Sequence, residues 1–367
     1  MTRSETMRRA AVLTVFGDSS RFAIAELPIP SMRRPDEVLV EVAATSVNPI
    51  EWKMREGLGL PKSLWRRLIG SPMILGQDFA GVVLAAGPEA SDFRPGDAVM
   101  GLKPIAGSYT THLTARTQGR RAAIVHIPRG VSYHDAALVP FAGLVAYAGL
   151  VTYGGLRPGT SGSRVLVVGA SGGVGHLAVQ IAVNGLDAEV VGVSSSRNEA
   201  FVTGLGAQTV VPYDRIAKSK YPERFPDWAH SFDLILDCVG DDSYYTELAP
   251  WALKAPGRYV TVALPSLRPG RPGEDVGLRE GAVLITRLAR RYATNRYRLV
   301  PGLFGLPARE GLPKLARWMA EGQLAPRTAS AYHLDDIAAA HHESEAGRTV
   351  GKIAVHVSDA GRASSAS

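Results

Sequence analysis

The spacing of apolar positions changes near residue 135 of this 367-residue chain. Before that point they come in short runs, Ala11–Val15, Val38–Val42, Gly81–Ala85 and Ala123–Ile127. Turn formers separate the runs, as in Pro28-Ile29-Pro30 and Arg94-Pro95-Gly96-Asp97. Short apolar runs between such breaks predict strands, so residues 10–130 read as all-β. Beyond residue 135, helical segments alternate with strands that read as buried, at Val165–Val168, Val190–Val193, Leu234–Asp237 and Tyr259–Ala263. A strand buried on both faces has no in/out alternation, so this texture predicts a doubly wound parallel sheet. A helix at Leu312–Glu321, a second at Leu334–Glu345 and a last strand at Lys352–Val357 follow. The small, polar tail Ser358–Ser367 reads as disordered. No internal repeat is present.

The most informative stretch is Val165-Leu166-Val167-Val168-Gly169-Ala170-Ser171-Gly172-Gly173-Val174-Gly175-His176. An apolar strand enters a glycine-rich turn, and Val174, Leu177, Ala178, Ile181 and Ala182 then recur at helical spacing. Strand, turn and helix N-terminus aim unpaired N–H groups and the positive dipole end at one place, which suits a pyrophosphate. Ala170-x-Gly172-x-x-Gly175 is the dinucleotide pattern with alanine in the first glycine slot. Residues Ala170, Ser171, Gly172, Gly173 and Val174 are therefore the expected phosphate contacts. The competing reading is an ordinary glycine-rich strand–helix turn.

The next strand, Glu189–Val193, runs into Ser194-Ser195-Ser196-Arg197-Asn198. A site for NAD places an acid near this point to accept from the ribose hydroxyls, and this segment has none. Ser194, Ser195 and Arg197 suit a 2′-phosphate instead, so the expected cofactor is NADPH. Ser196 also reads as an N-cap for a helix over Asn198–Leu205.

Composition narrows the class. An apolar fraction of 46% fits a globular protein with room for two domains. No apolar run approaches the ~20 residues of a membrane span, and the basic start Met1–Arg9 lacks a signal-peptide core. One cysteine, Cys238, excludes an internal disulfide and a cysteine-rich zinc cluster. These features point to the cytoplasm. The net charge of +7 is scattered, without the aromatic-interleaved basic block of a nucleic-acid module. Its densest part, Arg279 through Arg287, Arg290, Arg291 and Arg296 to Arg298, reads as a solvated helix face. Attraction of an acidic substrate tail is the weaker alternative.

Several segments together resemble the medium-chain dehydrogenase/reductase superfamily, and within it the zinc-free quinone oxidoreductase and alkenal/enone reductase branch. They are Ser46–Lys53, Leu75–Val83, Phe93–Val99, Ala142–Tyr147, the glycine turn, Asp237–Gly240 and Gly347–Lys352. The resemblance implies a GroES-like β-rich catalytic domain over 1–134 and 325–367, around a Rossmann domain over 135–324. It further implies hydride transfer from NADPH to an enone, alkenal or quinone. Zinc-dependent relatives carry a cysteine near Val47-Asn48, a His-Glu pair at Gln77-Asp78 and a four-cysteine loop, none of which this chain has. His341-His342-Glu343 does not replace them, since adjacent helix residues point to different faces.

Without a metal, hydrogen-bond donors must hold the charge that develops on the acceptor oxygen. The resemblance makes Lys53 and Asn48 the candidates. Lys53 is otherwise a solvated loop lysine, and Asn48 otherwise a turn residue before Pro49. Tyr213 matches an aromatic beside the adenine or the 2′-phosphate, or else is a core tyrosine. Val239, Gly240, Ala263 and Leu264 end strands along the dinucleotide cleft. Trp52, Trp65 and Tyr109 are candidate walls for a small apolar carbonyl or quinone substrate, or are core aromatics. Val145 stands where the family often has threonine, which implies one lost polar contact. Relatives pair Rossmann edges, so Ala282–Thr286 suggests a homodimer, with neither nucleic acid nor membrane as partner. Two other functions stay open: a one-electron quinone reductase releasing semiquinone, and a non-catalytic NADPH-binding redox sensor or assembly partner.

Overall fold

A computed structural model of the chain describes residues 6–57, 62–119, 122–157, 159, 162–263, 294, 296–302 and 306–358. The region expected to be all-β supplies strands β1 (Met7–Leu13), β2 (Phe22–Pro28), β3 (Glu37–Val47), β4 (Met73–Ile74), β5 (Asp78–Ala86), β6 (Ala98–Leu102), β7 (His112–Arg116) and β8 (Ile124–His126). Two helices, Pro49–Arg55 and Lys62–Ile69, interrupt it and correct that expectation. The first has a local cause. Pro49 fits the first helical position, where no N–H is needed, and Glu51 Oε2 accepts the Asn48 N–H at 2.7 Å.

The second region forms β9 (Arg164–Val168), β10 (Glu189–Ser194), β11 (Thr209–Pro212), β12 (Phe232–Asp237), β13 (Leu253–Thr261) and β14 (Tyr297–Leu299). They make one parallel sheet in the order β11-β10-β9-β12-β13-β14. Val165 and Val167 of β9 pack into one core, Leu166 and Val168 into another. That division explains the missing alternation. The strand order reverses between β9 and β12, which opens a crevice at their carboxyl ends.

The chain then returns to its first region. Strands β15 (Thr328–His333) and β16 (Lys352–His356) complete the sheet β15-β16-β3-β5-β6-β8, with β7 also on β3. Antiparallel pairing sets Ile353 opposite Val47 and Val355 opposite Thr45. This GroES-like sheet and the Rossmann-like sheet together give the α/β architecture expected. Helices Ala308–Ala320 and Ile337–Glu345 flank the return.

One expectation changes here. Arg298 lies in β14 and Arg296 in the bend before it, so they are not on a helix face. Tyr297 anchors that strand by stacking on Tyr259, with ring centroids 5.8 Å apart. Arg279, Arg287, Arg290, Arg291, the edge segment Ala282–Thr286, Leu264 and the tail from Asp359 fall outside the described residues. Among those described, no helix is long and apolar enough to cross a membrane.

Candidate functional site

The glycine turn after β9 is built by backbone contacts. Gly169, at φ +76°, and Ala170 both donate N–H bonds to the Val193 carbonyl at 3.0 Å. A Cβ on Gly175 would stand 2.1 Å from the Gly169 carbonyl oxygen, so only glycine lets the helix start against the strand. A Cβ on Gly172 would meet nothing nearer than that oxygen at 3.4 Å. Gly175 is thus spent on packing, whereas Gly172 keeps the surface open. Ala170, expected at the phosphates, is buried under the turn and does not line the cleft.

The opposite wall comes from Gly347–Lys352. Gly351 donates its N–H to the Ser171 carbonyl at 3.0 Å, and Lys352 runs its stem past Gly173. His176 adds a second tie. Its Nδ1–H donates to the Gly172 carbonyl (2.9 Å), while Nε2 accepts from the Arg327 N–H (3.2 Å). Burial lowers its pKa to about 4, so it serves as a neutral bridge. Between these walls lies a cleft of about 830 Å³, lined along the turn by Ser171, Gly172, Gly173 and Val174.

At one end the cleft is lined by Ser194, Ser195, Arg197 and Tyr213. Ser195 Oγ is buried without a hydrogen-bond partner among the described residues, and so is Thr349 Oγ1 on the facing wall. Arg197 makes no ion pair among the described residues. Tyr213 is 58% exposed, which rules out its core reading. Ser196 does not cap the helix: its N–H and Oγ both donate to Asp214, at 2.8 Å each. An acid does stand beside this segment, Asp214 from beyond the end of β11, but it accepts from Ser196 and does not line the cleft. Lys218, also missed from sequence, lines this end, where it bonds Asp241 and Ser243 and covers the Tyr244 ring. Val239 lines it too, but Gly240 and Ala263 do not. The Gly240 N–H turns inward to Asp237 Oδ1 (2.9 Å), and Ala263 is bonded to Thr261 Oγ1.

The other end is lined by Val47, Asn48, Pro49 and Phe141, over a buried polar cluster. Asn48 Nδ2 donates to Asp78 Oδ2 (2.8 Å) and Glu51 Oε1 (3.2 Å), and its Oδ1 accepts from Lys352 Nζ. Both amide hydrogens are therefore engaged. Asn48 sits where expected but has no donor left for a substrate oxygen. Asp78 also accepts from Ser46 Oγ (2.5 Å) and the Phe141 N–H (2.6 Å), with Lys352 Nζ at 3.6 Å. Glu51 takes N–H bonds from Asn48 and Gln77 and the Tyr109 hydroxyl at 2.5 Å. Burial outweighs these donors and raises its pKa to about 7.

Tyr109 is fully buried, so it is no pocket wall. Its hydroxyl joins Glu51 to His341 Nε2 at 3.0 Å, and Arg55 donates to His341 Nδ1 at 3.4 Å. Since arginine only donates, His341 carries its hydrogen on Nε2, and burial lowers its pKa to about 3. Lys53 and Trp52 do not line the cleft either, though both belong to the helix that Pro49 opens. Lys53 lies four residues from Pro49, hence on the same helix side. Its ammonium is 5.5 Å from the Trp52 ring centroid, has no ion partner among the described residues, and has its pKa lowered by burial. The Trp65 side chain is outside the described residues. Val145 is buried in the core.

The two groups that this fold can carry fare differently. An unpaired arginine, two unpartnered hydroxyls and an open glycine turn fit a nicotinamide dinucleotide. Zinc does not fit: its expected ligand positions hold Asn48, Gln77 and Asp78, and the Lys352 ammonium already occupies their midst. No group of three His, Cys, Asp or Glu among the described residues could hold a metal. The Cys238 thiol, in the cleft wall, is pushed well up in pKa by burial.

Comparison with known proteins agrees with this architecture. Residues 34–150 match the model of the alcohol dehydrogenase GroES-like domain, and residues 205–355 that of the zinc-binding dehydrogenases. The chain is 31% identical to the bovine (Bos taurus) mitochondrial NAD(P)H oxidoreductase RTN4IP1, over 71% of this chain and 67% of that protein. It is 30% identical to the trans-enoyl reductase pgmF of Aspergillus terreus, over 89% and 87%. The quinone oxidoreductase structure from Coxiella burnetii superposes with a TM-score of 0.75 at 25% identity, over 96% of this chain and all of that one. The motif order, the two sheets and these relatives show that the chain belongs to the medium-chain dehydrogenase/reductase superfamily of oxidoreductases.

Proposed function

We propose that this chain is an NADPH-dependent, zinc-free reductase that delivers hydride to the activated C=C bond of an enone or alkenal, or to a quinone. The observation that carries the reading is the continuity of the cleft. It runs from Ser195 and Arg197, past the glycine turn, to Asn48 and Phe141 at the end of β3. One dinucleotide spans that path with its phosphates on Ser171–Val174. Similarity to a trans-enoyl reductase and a quinone oxidoreductase supports both acceptor classes.

Bound NADPH supplies the hydride. Arg197 and the Ser195 hydroxyl hold the 2′-phosphate, and the buried Asn48–Asp78–Lys352 cluster keeps the inner end of the cleft rigid. Lys53, on the helix that Pro49 opens, lies outside the cleft lining in this structure, and its ammonium turns in to meet the enolate oxygen when the acceptor binds. Such a donor is worth roughly 3–4 kcal/mol in a transition state when well placed. A quinone needs less of this help, so the unpaired lysine favours the enone.

The test is NADPH oxidation with a panel of enones, alkenals and quinones, alongside Arg197→Ala. Turnover of enones is expected, with Arg197→Ala weakening NADPH about 10- to 100-fold, the loss of one charge-assisted bond, and leaving NADH unchanged. NADPH binding without turnover of any acceptor would favour a sensor. A semiquinone radical signal would favour one-electron chemistry. Preference for NADH, or equal loss of both cofactors, would overturn the phosphate assignment.

A further inference from the structure

Behind the inner end of the cleft, buried side chains from distant parts of the chain form one hydrogen-bonded line. Glu51, on the helix Pro49–Arg55, is completely buried and accepts the Tyr109 hydroxyl at 2.5 Å. The same hydroxyl lies 3.0 Å from His341 Nε2, on the helix Ile337–Glu345. His341 Nδ1 faces the Arg55 guanidinium at 3.4 Å, and that group is 2.7 Å from Glu345 and 3.4 Å from Glu56. Glu345 is 27% exposed and opens the line to solvent. Phe22 packs edge-on against the Tyr109 and His341 rings and seals its middle.

Hydrogens can be placed along this line in two consistent ways. With Glu51 ionised, Tyr109 donates to it and His341 donates from Nε2, as the Arg55 contact requires. With Glu51 protonated, its O–H donates to Tyr109, whose own O–H turns to Nε2. The His341 hydrogen then sits on Nδ1, and the long Arg55 contact is given up. The two forms differ by one proton, with the heavy atoms in place. Forces on Glu51 are opposed. Donors from Asn48, Gln77 and Tyr109 favour the ion, whereas burial and the Asp78 charge disfavour it. One buried cation, Lys352, thus stands beside two buried carboxyls, and it is nearest to Asp78, at 3.6 Å. Asn48 and Lys352 both line the cleft. A nicotinamide at this end is neutral in NADPH and cationic in NADP⁺, so it adds a second cation only when oxidised.

We propose that Glu51 is a proton switch set by the oxidation state of the cofactor, protonated beside NADPH and ionised beside NADP⁺. The switch rests on the cofactor reading above, and Glu51 works through its charge without touching the ligand. When hydride leaves, Glu51 passes its proton to Tyr109, and Tyr109 passes one to His341 Nε2. The Nδ1 proton departs toward Glu345 and solvent. It returns along the same line when NADP⁺ is exchanged for NADPH. The proton that the reduced acceptor takes from solvent is separate. Oxidised cofactor is therefore held more tightly as pH rises, because its cation favours the ionised carboxyl.

The test is calorimetric titration of the full chain with NADP⁺ and with NADPH, in buffers of different ionisation enthalpy, which counts protons exchanged. Near the Glu51 pKa of about 7, NADP⁺ should release about half a proton or more relative to NADPH. From about pH 6 to pH 8 the ratio of NADP⁺ to NADPH affinity should rise up to about 10-fold. Glu51→Gln should bring the two proton counts together and flatten the ratio. Should that variant not fold, ¹⁵N NMR of the histidine-labelled parent reads the line directly. His341 should carry its hydrogen on Nδ1 with NADPH and on Nε2 with NADP⁺. Equal proton counts for the two nucleotides, a difference that survives in Glu51→Gln, or one His341 tautomer in both complexes would overturn the switch and leave the cofactor reading intact. Failure to bind either nucleotide would overturn the cofactor reading, and the switch with it.

Discussion

Lys352→Met should lower the free energy of unfolding by about 3–5 kcal/mol, because it strands buried carboxylates without their cation. Lys352 is 3% exposed, bonds Asn48 Oδ1 and the Val47 carbonyl, and faces Asp78 at 3.6 Å. The loss should depend on pH in a stated direction. Burial already raises Glu51 to about 7, and the Lys352 charge helps to hold it down. Without that charge Glu51 titrates higher still. A carboxyl whose folded pKa exceeds its unfolded value disfavours the ionised fold, so the deficit is full above the folded pKa. It shrinks as pH falls toward the unfolded value of 4.5. Urea unfolding at about pH 8 and pH 5 checks the sign. Adding Asp78→Asn to Lys352→Met should recover a large part of the loss, since neighbours in one network are not additive. Equal losses at both pH values, or no recovery in the double variant, would show that the cluster is not held by charge.

The glycine turn should separate folding from binding. Gly175→Ala places a methyl 2.1 Å from a backbone oxygen, and neither the strand end nor the helix start can give way cheaply. Overpacking of a well-packed site typically costs about 1–3 kcal/mol, and a backbone clash belongs at or beyond the upper end. Gly172→Ala meets nothing closer than 3.4 Å, so its melting temperature should stay within a degree or two of the parent. Its methyl instead fills the space needed for close approach of a pyrophosphate, and NADPH affinity should drop at least 10-fold. Calorimetry and fluorescence titration on both variants read the two effects. Loss of stability in Gly172→Ala, or its absence in Gly175→Ala, would reverse the roles.

The Rossmann half was legible because its signals are local. Each buried strand announces itself as an unbroken apolar run, and the turn needs glycine where backbones touch. Strands without such runs, β14 and β15 among them, were not legible. β15 reads Thr-Ala-Ser-Ala-Tyr-His and alternates between half-buried and exposed positions, and β14 lies within a basic stretch. The helix Pro49–Arg55 did carry a local sign, Asn-Pro-x-Glu, but it was hidden among the strand-like runs around it.

The inner end of the cleft was not legible for a different reason. Whether Asn48 has a free donor depends on Asp78, 30 residues away, and the Tyr109 hydroxyl is met by His341, 232 residues away. Residue type alone made Tyr109 a reasonable wall and Asn48 a reasonable donor. Partners brought in by β5 and the helix Ile337–Glu345 gave both of them other work. Asp214 shows the same effect at the other end, where the second strand's tip receives an acid from the third.

Hydride destination is the most direct measure of what this site does. The protein, first dialysed against a chelator, is mixed with 2-cyclohexenone and NADPH deuterated at C4, one epimer at a time, and the product is read by NMR. Deuterium at the β-carbon of cyclohexanone from one epimer, at an undiminished rate, is the result that a metal-free cleft with an oxygen donor at its inner end predicts. Deuterium at the carbonyl carbon of an allylic alcohol, or activity that returns only with one zinc per chain, would contradict it.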